Sequence, residues 1–181
     1  AQQILHNALQ ESIRHNMYDC LTVLLTYVDR PTVSCALATA LSKSDLKSAD
    51  IILGSGHPVD EPDLLGNTPL RRIVGVGKVN EVNFLLDRKA DPNRYNISGP
   101  SLSFAARKGY YGCVRALLRA RADPSKFDLL KPPALLAAHG CHWDCVDLIL
   151  DAGASLDDRG FAYETLLMMV CMSDCVGLVS R

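Results

Sequence analysis

The sequence predicts an all-α repeat solenoid of helix–turn–helix units joined by β-hairpin-like loops. Three observations lead there. An aliphatic pair recurs at Ile52-Leu53, Leu85-Leu86, Leu117-Leu118 and Ile149-Leu150, in steps of 33, 32 and 32 residues, and a fixed period of that size marks a repeat architecture. Each pair closes a stretch with apolar residues at helical spacing, bounded by turn-forming residues. Two short helices cannot close a core alone, so neighbouring copies must stack to bury the apolar stripe between them. The 181 residues suffice for one domain with a substantial core. It is expected to run over 1–181, with repeats at about 1–30, 31–60, 61–93, 94–125, 126–157 and a truncated 158–181.

The first copy, "ALQESIRHNMYDCLTVLL", carries its anchor at Leu24-Leu25. The second, "SCALATALSKSDLKSADIILGSGHPVD", ends at Asp60. The third, "DLLGNTPLRRIVGVGKVNEVNFLLDRKADPN", shows the unit most clearly. Thr68 is placed to cap the first helix, its hydroxyl accepting from backbone N–H groups of the first turn. Pro69 suits the first helical position, where no N–H is needed and φ is preset. Leu70, Ile73 and Val74 follow at helical spacing, and Gly77 can end the helix. Val79, Val82, Leu85 and Leu86 form the stripe of a second helix. "DRKADPN" then closes on a turn-forming Asp-Pro-Asn. The fourth copy, "NISGPSLSFAARKGYYGCVRALLRARADPS", ends at Ser125, and the fifth, "LLKPPALLAAHGCHWDCVDLILDAGASLD", at Asp157. The sixth, "YETLLMMVCMSDCVGLV", has its anchor near Leu178-Val179 and is cut short. It is unusually apolar for a capping unit, whose outer face should be polar. Further repeats or a partner are therefore expected over that end, with Met168, Met169 and Met172 read first as core. A chain starting at Ala1 without Met and stopping in mid-pattern reads as a fragment of a longer protein or a processed chain.

The period, "GNTPL" (Gly66 to Leu70), "LLxxxADPN" (Leu85 to Asn93), "FAARKG" (Phe104 to Gly109), "LLRARADPS" and "LILDAGASLD" together resemble the ankyrin repeat. The likeness covers residues 8–179, as five repeats and a truncated sixth. Arg71, Ser103 and Leu135 depart from it where the family usually has His. Lys89 and Arg121 depart where the family has the Gly that Gly56 and Gly153 supply here. If those two keep a left-handed backbone, each carries strain of roughly 1 kcal/mol.

What the resemblance implies is recognition of another protein or peptide through a concave side built from hairpin tips and exposed ends of first helices. The tips fall at Leu64, Leu65 and Asn67; at Asn96, Ile97 and Gly99; at Asp128, Leu129 and Lys131; and at Gly160, Phe161 and Tyr163. The helix ends fall at Arg14-His15, Ser42-Lys43, Gly75-Val76, Arg107-Lys108, His139-Gly140 and Cys171-Met172. Leu65, Ile97, Leu129 and Phe161 share one column and could form an apolar ridge. For Leu65 and Ile97 the reading preferred is packing of hairpin on hairpin. Phe161 and Tyr163 suit an interface equally well, since aromatic anchors concentrate binding energy. Family members can be hydroxylated on a hairpin Asn, and Asn93 stands at the matching place.

Other function classes find little support. His6, His15, His57, His139 and His142 are scattered, and no Ser or Cys sits in a nucleophile elbow. "VGVGK" (Val74 to Lys78) lacks the first glycine and the following Ser/Thr of a phosphate loop. The chain is thus expected to be a non-catalytic scaffold without a cofactor. The alternative is a regulatory or targeting region of a larger enzyme, such as a kinase or ubiquitin-ligase component, since proteins of these kinds carry ankyrin repeats. Net charge is −1, but residues 71–131 hold 13 Lys/Arg against 5 Asp/Glu, leaving +8 there and −9 elsewhere. Such charge is either an ordinary solvated face or a field that steers a partner with an acidic segment. Without interleaved aromatic and basic residues, nucleic acid is not expected. No apolar run reaches the roughly 18 residues of a membrane span, so no membrane partner is expected either.

"CHWDC" (Cys141 to Cys145) and "CMSDC" (Cys171 to Cys175) invite a metal or redox reading, a second alternative. The repeat register splits each pair. Cys145 and Cys175 share the place of Cys113 and Cys20 in second helices, where a small apolar thiol packs between stacked helices. Cys141 stands instead where Gly77 and Gly109 stand, and Cys171 on the concave position. A zinc site needs four ligands converging, with thiolates at about 2.3 Å from the metal, and this register gives no such convergence. Cys141 and Cys171 are the thiols expected to react. Seven cysteines with no disulfide framework point to a reducing cytoplasmic or nuclear compartment; the sequon Asn96-Ile97-Ser98 points the other way.

Overall fold

The leucine- and alanine-rich helical stripes do become helices. A computed structural model describes residues 2–94, 99–126, 131–155, 157, 166 and 168, and the described residues are all-helical, without strands. They divide into two compact units, Ala1–Asp91 and Pro92–Arg181.

The first unit holds α1 (Gln2–Arg14), α2 (Tyr18–Leu24), α3 (Arg30–Ser42), α4 (Leu46–Gly54), α5 (Pro69–Val76) and α6 (Val79–Asp87). They pack as consecutive pairs, α1 on α2, α3 on α4 and α5 on α6, with α3 also touching α1 and α5, and α2 touching α4. Capping residues set the helix starts. Asp29, Asp45 and Thr68 accept from Thr32, Ser48 and Arg71 backbone N–H groups at 3.3, 3.1 and 3.2 Å. Pro69 occupies the first position of α5, as its sequence context demands. Leu9, Ile13, Leu21, Leu37, Leu41, Ile52, Leu70, Ile73 and Leu85 form the core, each contributing about 1.5–3 kcal/mol relative to an exposed side chain.

The second unit holds α7 (Ser101–Lys108), α8 (Tyr111–Arg119), α9 (Pro133–His139) and α10 (Trp143–Asp151). Here α7 packs on α8 and α9, and α10 packs on α8 and α9. Ala105 and Ala106 of α7 and Ala137 and Ala138 of α9 are all buried, as are Leu102 and Leu135. Arg71, Ser103 and Leu135 are all buried. Ser103 and, in the first unit, Ser34 donate from a first helix to a loop carbonyl further along, Lys126 at 3.3 Å and Glu61 at 2.6 Å.

Two backbone features recur with the sequence period. The turn inside each pair has a left-handed residue: Asn16, Ser44, Gly77, Gly109 and Cys141, with φ between 55° and 78°. A second left-handed residue follows each second helix from α4 on: Gly56, Lys89, Arg121 and Gly153, with φ of 87°, 68°, 64° and 98°. Lys89 and Arg121 therefore do carry the left-handed strain foreseen for them.

Hydrogen-bonded staples join successive loops. The Asp60 carboxylate accepts the Asp91 N–H at 3.0 and 3.1 Å. The Asn93 amide accepts the Asp123 N–H at 2.8 Å and donates to the Arg121 carbonyl at 3.0 Å. Among the described residues a single bridge position occurs, at Lys131, and residues 95–98 and 127–130 of the expected hairpin-like loops lie outside them.

Candidate protein-interaction surface

The segment Asp63 to Asn67 shows how a loop tip is held. Asp63 is buried, its side chain 3% exposed. One carboxylate oxygen accepts the N–H groups of Leu65 and Asn67, both at 2.9 Å. The other accepts from Arg72 Nη1 at 3.1 Å. The backbone adds Asp63 N–H to Asn67 C=O at 2.9 Å and Gly66 N–H to Asp63 C=O at 2.8 Å. Gly66 turns with φ 76°, a region that favours glycine. This closed turn holds Leu64 and Leu65 outward, 82% and 76% exposed. The packing preferred for Leu65 from sequence is thus corrected: with Asp63 turned inward, the two leucines point outward. Asp63 was the residue missed by motif reading. Its signal is an Asp two residues before an N–H it can bond, an Asx-turn pattern.

Most described ends of the first helices are exposed, with Gly75 half-buried. Arg14, His15, Ser42, Lys43, Val76, Arg107, Lys108 and His139 all lie at the surface. Glu11 pairs with Arg14 at 2.6 Å and with His15 at 3.2 Å. In the second unit four expected contact residues come together. Arg107 and Lys108 end α7, and His139 ends α9, beside it. A Cβ built on Gly140 would lie 3.3 Å from the Arg107 carbonyl oxygen, so the turn after α9 lies against the end of α7. Lys131 Nζ lies 2.7 Å from His139 Nε2. Arg107 and Lys108 sit over the Phe104 ring, at 5.3 and 6.0 Å from its centroid. Asn96, Ile97, Asp128, Leu129, Phe161 and Tyr163 lie outside the described residues, as do the rest of the proposed ridge and Cys171 and Cys175.

The cysteine column splits. Cys113 and Cys145 are buried. Burial pushes the Cys113 thiol up to about 11. Burial, with help from the Asp144 charge, raises that of Cys145. Cys20, expected to pack like them, is exposed. It lies on the open side of α2, where it lines an apolar cleft of about 660 Å³ with Ala8, Met17 and Val23. Cys141 is exposed in its left-handed turn. Its neighbour His142 lies against Gly109 and Gly140, where any Cβ would meet the imidazole ring within 2.4–2.6 Å. Among the described residues, no group of three or more His, Cys, Asp or Glu is placed to hold a metal ion.

The chain matches no protein-family model and no curated protein. No helix among the described residues is long and apolar enough to cross a membrane.

Proposed function

We propose that this chain is an ankyrin-type helical repeat solenoid that acts as a protein-interaction scaffold, without catalysis of its own. The observation that carries this reading is the buttressed Asp63–Asn67 turn with Leu64 and Leu65 exposed at its tip. Displaying two leucines in water is unfavourable on its own. A rigid turn that does so lowers the ordering cost of binding and offers an apolar anchor. The repeat reading is supported by the helix pairs, by the left-handed positions that recur with the sequence period, and by the loop staples. The partner is another protein or a peptide segment, met by the loop tips and the ends of first helices. The exposed free thiols Cys20 and Cys141 suit a reducing cytoplasmic or nuclear compartment.

The test is quantitative capture from cell extract on immobilised wild-type chain and on Leu64→Ser/Leu65→Ser, with circular dichroism verifying equal helix content. Expected is a defined set of proteins retained by the wild type and reduced about tenfold by the variant, the loss of an interface anchor. Equal recovery on both would contradict the reading.

A further inference from the structure

Resting on the reading of the chain as an interaction module, we propose that the face formed by the ends of α7 and α9 receives an acidic peptide segment of the partner. Charge in this unit is sorted by element. The helices α7, α8 and α9 contain no Asp or Glu, whereas α10 carries Asp144, Asp147 and Asp151. Asp144, Asp147 and Asp151 line a hollow with Tyr111 of α8, on the side formed by the second helices. The first-helix side gathers Arg107, Lys108, Lys131 and His139.

The fold brings these four groups together for identifiable reasons. The helices α7 and α9 pack side by side, each with two buried alanines, and Gly140 lets the turn after α9 approach the Arg107 carbonyl. Arg107 and Lys108 stand in the last turn of α7, where the helix dipole favours cations and so eases their crowding. The Phe104 ring beneath Arg107 and Lys108 limits the conformations of two long side chains, lowering the entropy lost when they bind. Lys131 donates to His139 Nε2 across 2.7 Å, which fixes that ammonium on the same face. The arrangement matches a run of carboxylates, which Arg can grip with two parallel hydrogen bonds and Lys as a point charge.

A nucleic acid fits less well. A phosphate backbone gains affinity by neutralising many phosphates along its length. Outside residues 71–131 the chain has a net charge of −9, which repels a long polyanion. A short acidic peptide needs only the one face.

The proposal is tested with the full chain and three fluorescent probes: a decapeptide of alternating Glu and Ala, its Gln-for-Glu counterpart, and a ten-nucleotide oligothymidylate. Affinities are read by anisotropy. The Glu peptide is expected to bind tightest, and to bind several-fold more weakly as salt rises toward 0.3 M and shortens the screening length. Arg107→Glu/Lys108→Glu is expected to weaken it about tenfold or more. Arg115→Glu/Arg119→Glu, which changes net charge equally but on α8, is expected to stay within about twofold. Arg107→Gln/Lys108→Gln gives an intermediate loss and serves if the reversal variant loses helix content. Equal binding of the Gln peptide, equal loss in both reversal variants, or tighter binding of the oligonucleotide would each overturn the proposal. Loss of peptide binding with capture by Leu64 and Leu65 retained removes the acidic segment alone; failure of capture removes the underlying reading.

Discussion

At the residue scale, His57 and the cysteines show how burial changes chemistry. His57 Nε2 is buried, with no hydrogen-bond partner among the described residues. Its pKa is held below the usual 6.5, first by burial and then by Arg30, with Glu61 acting the other way. The unfolded chain therefore takes up this proton first as pH falls. His57 makes no pH-dependent difference above 6.5 and destabilises progressively as pH drops from there toward its lowered value. The urea midpoint of wild type should fall between pH 7.5 and 5.5 by more than that of His57→Leu. Parallel falls would show that His57 is not the group responsible. For the thiols, brief alkylation at pH 8 should label Cys20 and Cys141 well before Cys113, which burial keeps protonated. Peptide mapping that found Cys113 modified first would contradict its placement. Cys141 was legible because its position matched two turn glycines. Cys20 was misread because the column says which residues are equivalent, not which neighbour covers each of them.

At the element scale, the turns carry the most information. Lys89 and Arg121 have φ of 68° and 64° after α6 and α8, where Gly56 and Gly153 serve elsewhere. Lys89→Gly and Arg121→Gly should each stabilise the fold by up to about 1 kcal/mol, the relief of left-handed strain less the entropy glycine adds to the unfolded chain. Thermal melts that showed both variants less stable would argue against the left-handed turn. Gly109 and Gly56 form a sharper pair. Both are left-handed, but a Cβ at Gly109 meets the His142 ring at 2.4 Å while one at Gly56 meets nothing within 4 Å. Gly56→Ala should cost about 1 kcal/mol and Gly109→Ala roughly 2–3 kcal/mol; equal costs by urea denaturation would rule out the His142 contact. Helix starts were readable from Thr68-Pro69, because a cap and a ring-locked φ act locally. The loops were not. Asp63 closes its own turn locally, but the staples of Asp60 and Asn93 reach Asp91 and Asp123, 31 and 30 positions away, which no local pattern encodes.

At the scale of the whole molecule, the helices pack in consecutive pairs, and the charge map is what the proposed acidic partner segment rests on. The +8 segment over 71–131 reads from composition alone. That α7 to α9 are free of acids, and that Arg107, Lys108, Lys131 and His139 share a face, required the packing of α9 against α7. The exposure of Leu64 and Leu65 likewise depended on which way Asp63 turned. The central claim, proposed above, is that loop tips and first-helix ends of each unit contact a partner. Hydrogen exchange read by mass spectrometry, on the full chain alone and with the partner recovered by capture, tests it most directly. Expected is slowed exchange in peptides covering 63–67, 105–109 and 137–141, with α8 and α10 unchanged. Slowing confined to α8 and α10, with those three segments unaffected, would contradict it.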